Sequence, residues 1–445
     1  MTAEHGPNIY FEPLGCARNL VDSEIMMGNL SGAGGIITDD PADADIIIIN
    51  TCSFIEDAVN ESLDVIFHLA RYKTSGKCRF LVVAGCLPER YREKLEAELP
   101  EVDLFLGTGA LDQVIRAMND RDPLRGCFLP DPNRLILTGC ENRFRGKTAP
   151  ASAYLKIAEG CDKHCTYCII PRLRGKQRSR PIGDIVSEAA MLIEKGVKEL
   201  VLVAQETSFY GRDLSPATDI STLLNAVARL SGGVWIRLLY GHPESVDEKL
   251  IKTIAANETI CSYFDIPVQH AADPVLKRMG RNYTLEDIYR RIDQVRTHIP
   301  DAVLRSTVIV GFPGESEKDF ETLMRLVERV RFNHLGAFIY SDSDDLVSHR
   351  LKHHVPAAIA KKRYDRLMER QRDISTAIHG DYVGRTVKVL VEEHPEPDVY
   401  IGRADFQAPE VDGITYINCR QAPLGDFMNV AIVDALEYDL VGEPL

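Results

Sequence analysis

The sequence has 445 residues, of which 45% are hydrophobic and 27% charged, and its net charge is −14 at neutral pH. That length exceeds one hydrophobic core and predicts two to four domains, while the negative charge disfavours nucleic acid and favours basic partners. The longest aliphatic run, IIIIN, is too short for a membrane span, and MTAEHGPN lacks the features of a signal peptide, so we expect a cytoplasmic protein without membrane association. Eleven cysteines in such a protein predict metal or redox chemistry rather than disulfides.

Residues 8–125 alternate short aliphatic runs with helical patterns, which predicts an α/β domain built on a parallel sheet. Three of the predicted strands, IYFEPLG, DIIIINT and RFLVVAG, run directly into Cys16, Cys52 and Cys86. Ligands of open parallel sheets bind beyond the carboxyl ends of the strands. Three cysteines delivered to that one edge predict a metal site in preference to three buried structural thiols.

Residues 126–150 contain several prolines and glycines and are predicted to form a linker, in which Cys127 and Cys140 are plain thiols. Residues 151–355 then show six strand–helix units. Six such units predict a partial (βα)6 barrel, because eight would close one.

A helical pattern at 356–379 is predicted to connect this barrel to residues 380–445. The runs TVKVLVEE, VYIGRAD, ITYINC and NVAIVDALEYDL in that last part alternate with turn signals. They predict a small all-β barrel.

The segment GCDKHCTYC carries Cys161, Cys165 and Cys168 in the spacing C-x3-C-x2-C, just after the first strand of the predicted partial barrel. Such barrels place their chemistry at that end. Closed zinc sites and ordinary iron–sulfur clusters use four protein ligands, and no fourth cysteine follows nearby. The three cysteines therefore belong either to a zinc site or inert cluster, or to a cluster that keeps one iron open.

The pattern C-x3-C-x-aromatic-C, with Tyr167 as the aromatic residue, resembles the radical S-adenosylmethionine (SAM) superfamily. The resemblance implies that Cys161, Cys165 and Cys168 are the catalytic cysteines and hold a [4Fe-4S] cluster whose open iron binds SAM. Reductive cleavage of SAM would then give a 5′-deoxyadenosyl radical. Further candidates for SAM binding are Tyr167, Gln205, Glu206, Gln269 and Arg305, the last four because they lie at or near predicted strand ends.

The domain order and the motifs LGCARNLVDSE, NTCSFIEDA, VAGCLPERY and EGCDKHCTYCIIPRLRGKQRSRP resemble the methylthiotransferases, a family of radical SAM enzymes. The resemblance implies that Cys16, Cys52 and Cys86 hold a second [4Fe-4S] cluster, which handles the inserted sulfur. Two SAM molecules are implied per turnover, one as methyl donor and one as radical source. The implied partners are an electron donor such as flavodoxin or ferredoxin and a source of sulfur.

The C-terminal part resembles the TRAM module, which often binds RNA. Residues 381–445, however, contain four basic and thirteen acidic residues, a surplus of nine negative charges that suits a basic protein better than RNA. The motifs LVAQETSFYGRDL and DIPVQHAADP resemble the branch that modifies the β-carbon of an aspartate in ribosomal protein S-twelve (uS12). The alternatives are modification of an adenosine in tRNA and a non-enzymatic iron–sulfur carrier or scaffold.

Two weaker signals remain. The run RLRGKQRSR, residues 172–180, is predicted in part as a solvated basic loop and alternatively as positive charge near the cluster. His349, His353 and His354 are predicted to lie on a polar surface rather than in a metal site. They belong to the segment SDSDDLVSHRLKHH, which departs from the family pattern.

Overall fold

The computed structural model describes residues 6–118, 125–135, 137, 143–146, 151–230 and 233–445, so the prediction for Cys140 lies outside the described residues. The chain divides into two compact units. The first comprises Met1–Ala149, Ala158–Lys163 and Cys168–Arg180, and the second comprises Pro150–Ile157, His164–Tyr167 and Pro181–Leu445. Among the described residues, no helix combines the length and apolar character that crossing a membrane requires.

In the described part of the first unit, six strands form one parallel sheet in the order β2-β1-β3-β4-β5-β6. These strands are β1 (Asn8–Pro13), β2 (Ile36–Thr38), β3 (Ile46–Thr51), β4 (Phe80–Gly85), β5 (Leu104–Leu106) and β6 (Gly126–Phe128). Ile46 and Ile48 pack into the core on one face, and Ile47 and Ile49 pack into the core on the other. The aliphatic run is continuous because both faces of this strand are covered.

Helical segments lie between most of these strands and after β6, whereas residues 39–45 join β2 to β3 without a helix. The helical segments are α1 (Ala17–Gly32), α2 (Glu56–Ala70), α3 (Tyr72–Ser75), α4 (Cys86–Tyr91), α5 (Lys94–Glu98) and the 3-10 segments Thr108–Met118 and Pro132–Arg134. The same unit contains α6 (Ile170–Arg174) and a two-stranded antiparallel pair, β8 (Ala158–Glu159) with β9 (Arg178–Ser179). Strand β6 lies in the segment predicted as a linker, because a three-residue edge strand leaves little hydrophobic pattern in the sequence.

The six predicted strands of the central domain are all present. They are β7 (Ser152–Lys156), β10 (Glu199–Val203), β11 (Trp235–Leu238), β12 (Tyr263–Asp265), β13 (Val303–Val310) and β14 (His334–Ile339). They form two parallel sheets, β7-β10-β11 and β12-β13-β14, which a parallel bridge between Ile236 and Ile260 connects. No pairing joins β7 to β14 in the described part of the chain, so the predicted partial barrel is confirmed.

The helices of the second unit follow the predicted alternation. They are α7 (Ile182–Glu194), α8 (Ile220–Ala228), α9 (Glu248–Ala255), α10 (Asp273–Arg278), α11 (Leu285–His298), α12 (Glu317–Val330), a 3-10 turn (Val347–Arg350) and α13 (Ala357–Gly380). The helices α11 and α12 begin with capping boxes, Thr284 with Asp287 and Ser316 with Asp319. Each box satisfies backbone N–H groups at the start of its helix.

Residues 386–444, all of them described, form a closed barrel in the strand order β15-β16-β17-β19-β18. Its strands are β15 (Thr386–Glu396), β16 (Val399–Ala404), β17 (Thr415–Asn418), β18 (Phe427–Ala435) and β19 (Leu440–Pro444). The run NVAIVDALEYDL is two strands and not one, because the chain reverses where the Leu436 N–H bonds the Asp439 carbonyl at 2.8 Å. The predicted all-β barrel, and with it the predicted fold class, is confirmed.

Buried ion pairs join this small barrel to the amino ends of the central strands. Glu199, the first residue of β10, accepts hydrogen bonds from Arg237 of β11 at 2.7 Å and from Arg403 of β16 at 2.6 Å. Asp412 lies 3.4 Å from Arg305 and 3.5 Å from His334. The small barrel therefore lies at the edge of the central strands opposite to their carboxyl ends.

Candidate iron–sulfur sites

Cys16, Cys52 and Cys86 follow three neighbouring strands of the first sheet at their carboxyl ends. Cys16 caps α1 after β1, Cys52 directly follows β3, and Cys86 is the first residue of α4 after β4. Since β1, β3 and β4 are adjacent and parallel, the three cysteines come to one edge of the sheet. Cys16 and Cys52 are half-buried and Cys86 is buried.

Two glycines allow the chain to approach closely at this edge. Gly15 has φ +90°, and a Cβ added there would lie 2.6 Å from the Cβ and 3.1 Å from the Sγ of Cys52. Gly85 has φ +96°, and its added Cβ would lie 2.4 Å from Oδ1 of Asn50. A side chain at either position would displace the cysteine-bearing segments, so glycine is required there.

Buried side chains connect the three segments that bear the cysteines. The Asn19 amide donates to the carbonyl of Leu14 at 3.0 Å and to that of Thr51 at 2.8 Å. The Thr51 hydroxyl donates to the Ala84 carbonyl at 2.7 Å and accepts from the N–H of Leu87 at 3.2 Å. The relative position of the strand ends is thus set by Asn19 and Thr51, whose role the sequence did not predict although both lie in the quoted motifs.

Arg174 brings a buried positive charge to the same site. Its exposed fraction is 3%, and it pairs with Asp22 at 2.7 Å and with Glu159 at 3.4 Å. Its Nη2 also lies 3.4 Å from Sγ of Cys86, in a hydrogen bond to sulfur. The expectation of a solvated basic loop is wrong for this residue, because carboxylates from distant parts of the chain bury its charge.

The other four basic residues of the run differ in their exposure. Arg180 is also buried, Arg178 is half-buried, and Arg172 and Lys176 are exposed. The alternative prediction, positive charge near the cluster of the neighbouring cysteine loop, stays a prediction, because the cysteine that Arg174 contacts is Cys86.

The thiols of the first site have different pKa values. Burial opposes ionisation of Cys16, but Arg18 and Arg174 outweigh it and hold the pKa of that thiol below its usual value. Burial raises the pKa of Cys52, and it raises the pKa of Cys86 to about 11 although Arg174 opposes the rise. Metal binding deprotonates such thiols outright, and a buried cation beside them fits a cluster bound through thiolates.

No group of three or more His, Cys, Asp or Glu side chains converges on the position of a single metal ion in the part of the chain that the structure describes. An iron–sulfur cluster needs no such convergence, because each cysteine binds a different iron. Cys16, Cys52 and Cys86 bring three thiols to one sheet edge, as such a cluster requires.

The loop that carries Cys161, Cys165 and Cys168 is held by backbone contacts. Within the first unit, the N–H of Cys161 donates to the Gly175 carbonyl at 3.1 Å, and the Cys161 sulfur accepts from the N–H of Lys163 at 3.5 Å. Gly160 has φ +80°, and an added Cβ would lie 2.0 Å from the carbonyl oxygen of Lys176. The start of the loop is thus pressed against the segment that follows α6.

Within the second unit, the middle of this loop rests on the end of α10. The Thr166 N–H donates to the Met279 carbonyl at 3.0 Å, and its hydroxyl donates to the Arg278 carbonyl at 2.8 Å. A Cβ added at Gly280, which has φ +75°, would lie 2.7 Å from the His164 carbonyl oxygen. These contacts fix the backbone on both sides of Cys165.

Tyr167 lies beside a second buried arginine. Its hydroxyl accepts a hydrogen bond from Nε of Arg281 at 3.1 Å, and its ring packs edge-on against Phe312, with 6.3 Å between the centroids. Burial opposes the charge of Arg281, but Tyr167, Tyr283 and Cys165 outweigh that effect and raise the pKa of the guanidinium. Arg281 follows the quoted motif DIPVQHAADP by seven residues, and no pattern in the sequence predicts a role for it.

The other predicted SAM ligands differ in their positions. Gln205 and Glu206 follow β10 as expected, and the buried carboxylate of Glu206 accepts from the Ser245 hydroxyl at 2.6 Å. Gln269 has φ +64° and forms a parallel bridge with Val308, where its N–H donates to the Thr307 carbonyl at 2.8 Å. Their binding of SAM stays a prediction.

Arg305 lies near a strand end as predicted, at the amino end of its strand, and its binding of SAM stays a prediction. It is the third residue of the eight-residue strand β13, and its guanidinium pairs with Asp265 at 3.1 Å and with Asp412 at 3.4 Å. Both carboxylates are buried, and the contact with Asp412 joins the arginine to the small C-terminal barrel. The aliphatic run of residues 303–311 begins where this strand begins, so the sequence locates the arginine near the start of the strand, and only the fold shows its two carboxylate partners.

Two of the three histidines of the atypical segment, His349 and His354, lie close to one carboxylate. Asp342 is 2.9 Å from Nδ1 of His349 and 3.7 Å from Nδ1 of His354. The carbonyl of His353 accepts from the N–H of Gly314 at 2.7 Å. His349 and His354 are exposed, as a polar surface requires.

Three family models match the chain. They are an uncharacterised protein family, UPF0004, over residues 8–107, the radical SAM superfamily over 155–327, and the TRAM domain over 383–445. The first match contains the three strand-end cysteines, and the second contains the cysteine loop.

Solved structures show the same fold at low sequence identity. The radical SAM methyltransferase TsrM from Kitasatospora setae is similar with a TM-score of 0.59 at 13% identity, over 84% of this chain and 90% of that one. The cobalamin-dependent radical SAM enzyme OxsB is similar with a TM-score of 0.52 at 14% identity, over 83% of this chain and 56% of that one.

Curated relatives match almost the whole length. Proteins named ribosomal protein uS12 methylthiotransferase RimO are 52% identical in Desulfosudis oleivorans, 45% in Clostridioides difficile and 42% in Geobacter sulfurreducens. The matches cover 98%, 98% and 97% of this chain and 99%, 98% and 97% of those proteins, respectively. This chain therefore belongs to the RimO family of uS12 methylthiotransferases within the radical SAM superfamily.

Proposed function

We infer that this chain is a transferase that adds a methylthio group to the β-carbon of an aspartate in ribosomal protein uS12. The observation that carries this inference is the similarity to uS12 methylthiotransferases along nearly the whole chain, at up to 52% identity among the relatives named above. The match includes both three-cysteine segments and the small C-terminal barrel, so the complete set of domains is shared.

The enzyme uses two [4Fe-4S] clusters and SAM. We propose that Cys161, Cys165 and Cys168 would hold one cluster and that Cys16, Cys52 and Cys86 would hold the other. When bound, these groups supply a 5′-deoxyadenosyl radical and the sulfur that enters the C–H bond.

The chain's own side chains position these two sites. In the first, Asn19 and Thr51 hold the strand ends that carry the cysteines, and Arg174 supplies a buried positive charge. In the second, Thr166 anchors the loop on the end of α10, and Arg281 places a buried cation beside Tyr167. Preorganised donors of this kind need no rearrangement when charged groups bind.

The surface of the C-terminal barrel supports a basic protein as substrate rather than tRNA. Within residues 381–445, all described, ten acidic side chains are exposed against three basic ones, because Arg403 is buried in its ion pairs. Exposed Leu424, Val433 and Leu436 add apolar contacts. Since the barrel lies at the amino ends of the central strands, we propose that it binds a part of uS12 or of its surroundings remote from the aspartate that reacts.

The chemistry also requires partners that the relatives' names do not mention. One-electron reduction of SAM needs an electron donor, for which we propose a flavodoxin or ferredoxin. Each methylthio group that is formed also needs a sulfur atom from a sulfur source. Ribosomal proteins are made and assembled in the cytoplasm, which is the location we propose for this enzyme.

Mass spectrometry of uS12 and of tRNA nucleosides, in cells with and without the gene, tests the function. We expect the methylthio group on the uS12 aspartate to disappear with the gene and to return with the intact gene. The C165A gene should fail to restore it, whereas the Cys419→Ala gene, altered at a cysteine outside both sites, should succeed. Loss of a methylthio group from tRNA with uS12 unchanged would instead establish the tRNA alternative.

A further inference from the structure

Arg174 is placed to act on the N-terminal cluster although it belongs to the chain segment of the other cysteine loop. It is the last residue of α6, a five-residue helix that begins two residues after Cys168. Its guanidinium is buried, and its Nη2 is 3.4 Å from the sulfur of Cys86. The fold thus brings Arg174 into contact with a cysteine that lies 88 residues earlier in the chain.

Both terminal nitrogens of the guanidinium also bond other buried side chains, which hold it in place. Nη1 donates to Asp22 at 2.7 Å and to Glu159 at 3.4 Å, and Nη2 also bonds Oδ1 of Asn19. A planar guanidinium held on several sides keeps its remaining N–H directed at one target, which a lysine ammonium on a flexible stem cannot do. The target here is the Cys86 sulfur.

Asn19 extends this network to the other two cysteines. Its amide bonds the carbonyls of Leu14, two residues before Cys16, and of Thr51, directly before Cys52. Arg174 therefore connects, through one side chain, to all three segments that bear cysteines of the first site.

Hydrogen bonds to the sulfurs of an iron–sulfur cluster raise its reduction potential, because they stabilise the additional negative charge of the reduced form. Groups that hold a metal ligand from behind also fix its orientation, and their loss weakens metal binding. A buried, anchored guanidinium beside a ligand thiolate has both properties.

We propose that Arg174 is a positioning residue of the N-terminal cluster, where its N–H···S hydrogen bond to Cys86 raises the reduction potential of the cluster and retains that ligand. This inference rests on the proposed ligand set of Cys16, Cys52 and Cys86. It makes the segment that follows the radical SAM cysteines a structural part of the sulfur-handling site.

The test uses the full-length chain with Cys161, Cys165 and Cys168 all changed to alanine, so that only the N-terminal site can hold a cluster. After anaerobic reconstitution with iron and sulfide, we would measure iron and sulfide per chain and the midpoint potential by EPR-monitored titration. Arg174→Gln should shift the midpoint to more negative potential and lower the iron retained after exposure to a chelator. Arg174→Lys, which keeps the positive charge but not the planar guanidinium, should show a smaller shift in the same direction.

Arg172→Lys is the matched control. Arg172 lies in the same helix but is exposed and donates to the Arg90 carbonyl at 3.1 Å, so its replacement should leave potential and iron content unchanged. If Arg174→Gln does not fold, as judged by circular dichroism, the potential of Arg174→Lys decides the question.

The outcomes separate the two proposals. If the background protein with Arg174 intact binds no cluster, the ligand set proposed for the first site is wrong. If it binds about four irons per chain and the folded Arg174 variants have the same potential and iron retention as their parent, the role of Arg174 is overturned. A negative shift limited to the Arg174 variants supports it.

Discussion

The two three-cysteine sites are built in opposite ways. Cys161, Cys165 and Cys168 lie within eight residues of one loop, whereas Cys16, Cys52 and Cys86 are spread over three strand ends. The loop is held largely by backbone hydrogen bonds, such as those of Cys161 to Gly175 and of Thr166 to Met279. The strand-end site is held by buried side chains, among them Asn19, Thr51 and Arg174. In the local site one loop brings all three cysteines together, whereas the distributed site needs the packed sheet to do so.

Removal of cysteines from one site at a time should give the largest effect and separate the two chemistries. We expect Cys165→Ala to abolish formation of 5′-deoxyadenosine from SAM, because the radical cluster loses a ligand. Cys52→Ala should leave that cleavage in place while methylthiolation of uS12 is lost. Chromatography of the SAM products and mass spectrometry of uS12 measure the two reactions. Equal loss of SAM cleavage in both variants would contradict the division of labour between the sites.

Glycine-to-alanine changes should damage each site separately. Gly15→Ala and Gly160→Ala place a Cβ in a left-handed conformation, which costs about 1–2 kcal/mol, and both meet neighbouring atoms at 2.6 Å or less. We expect iron binding to fall at the strand-end site in the first variant and at the loop in the second, measured in chains that keep one set of cysteines. Gly183→Ala, in α7 with open space around it, is the control and should lose no iron. A loss at both sites from either change would show that the sites are not independent.

Asn19→Ala should loosen the strand-end site alone. The change leaves the buried carbonyls of Leu14 and Thr51 without this donor, at a cost of about 1–3 kcal/mol in the free energy of unfolding. Hydrogen–deuterium exchange should become faster in peptides covering residues 14–19 and 50–53 and stay unchanged in those covering 160–168. Asn429→Ala, at an exposed position of the C-terminal barrel, should leave both regions unaffected. Faster exchange across the whole chain would point to general destabilisation instead.

Tyr167→Phe should give the smallest effect, because it removes one hydrogen bond and keeps the ring. Loss of the hydroxyl that accepts from Arg281 should reduce stability by about 0.5–1.5 kcal/mol, while packing against Phe312 remains. Thermal unfolding and the rate of SAM cleavage would measure it, with Tyr289→Phe, a ring that lies under Arg329, as the control. Complete loss of SAM cleavage would show that the hydroxyl itself takes part in the site.

The fold was largely predictable because its signals are local. Continuous aliphatic runs such as residues 46–49 indicate buried parallel strands wherever they occur, and six of them in the central domain predicted the partial barrel. Short edge strands such as β6 and the reversal between β18 and β19 escaped prediction, since their few residues carry little periodicity. The carboxylate partners of Arg305 escaped prediction for another reason, because Asp265 and Asp412 are distant in the sequence and become its neighbours only in the fold.

The sequence by itself determined the chemistry, because cysteine spacing, strand–helix alternation and the family motifs can all be recognised in the linear sequence. Tertiary structure alone decided which polar residues support that chemistry. In the sequence, Arg174 is one of five basic residues in a predicted loop. Only the fold brings it into contact with Asp22, Glu159 and Cys86. The physical reason is that a buried charge is defined by its partners, and partners that are distant in the chain become neighbours only when the sheet and the helices pack.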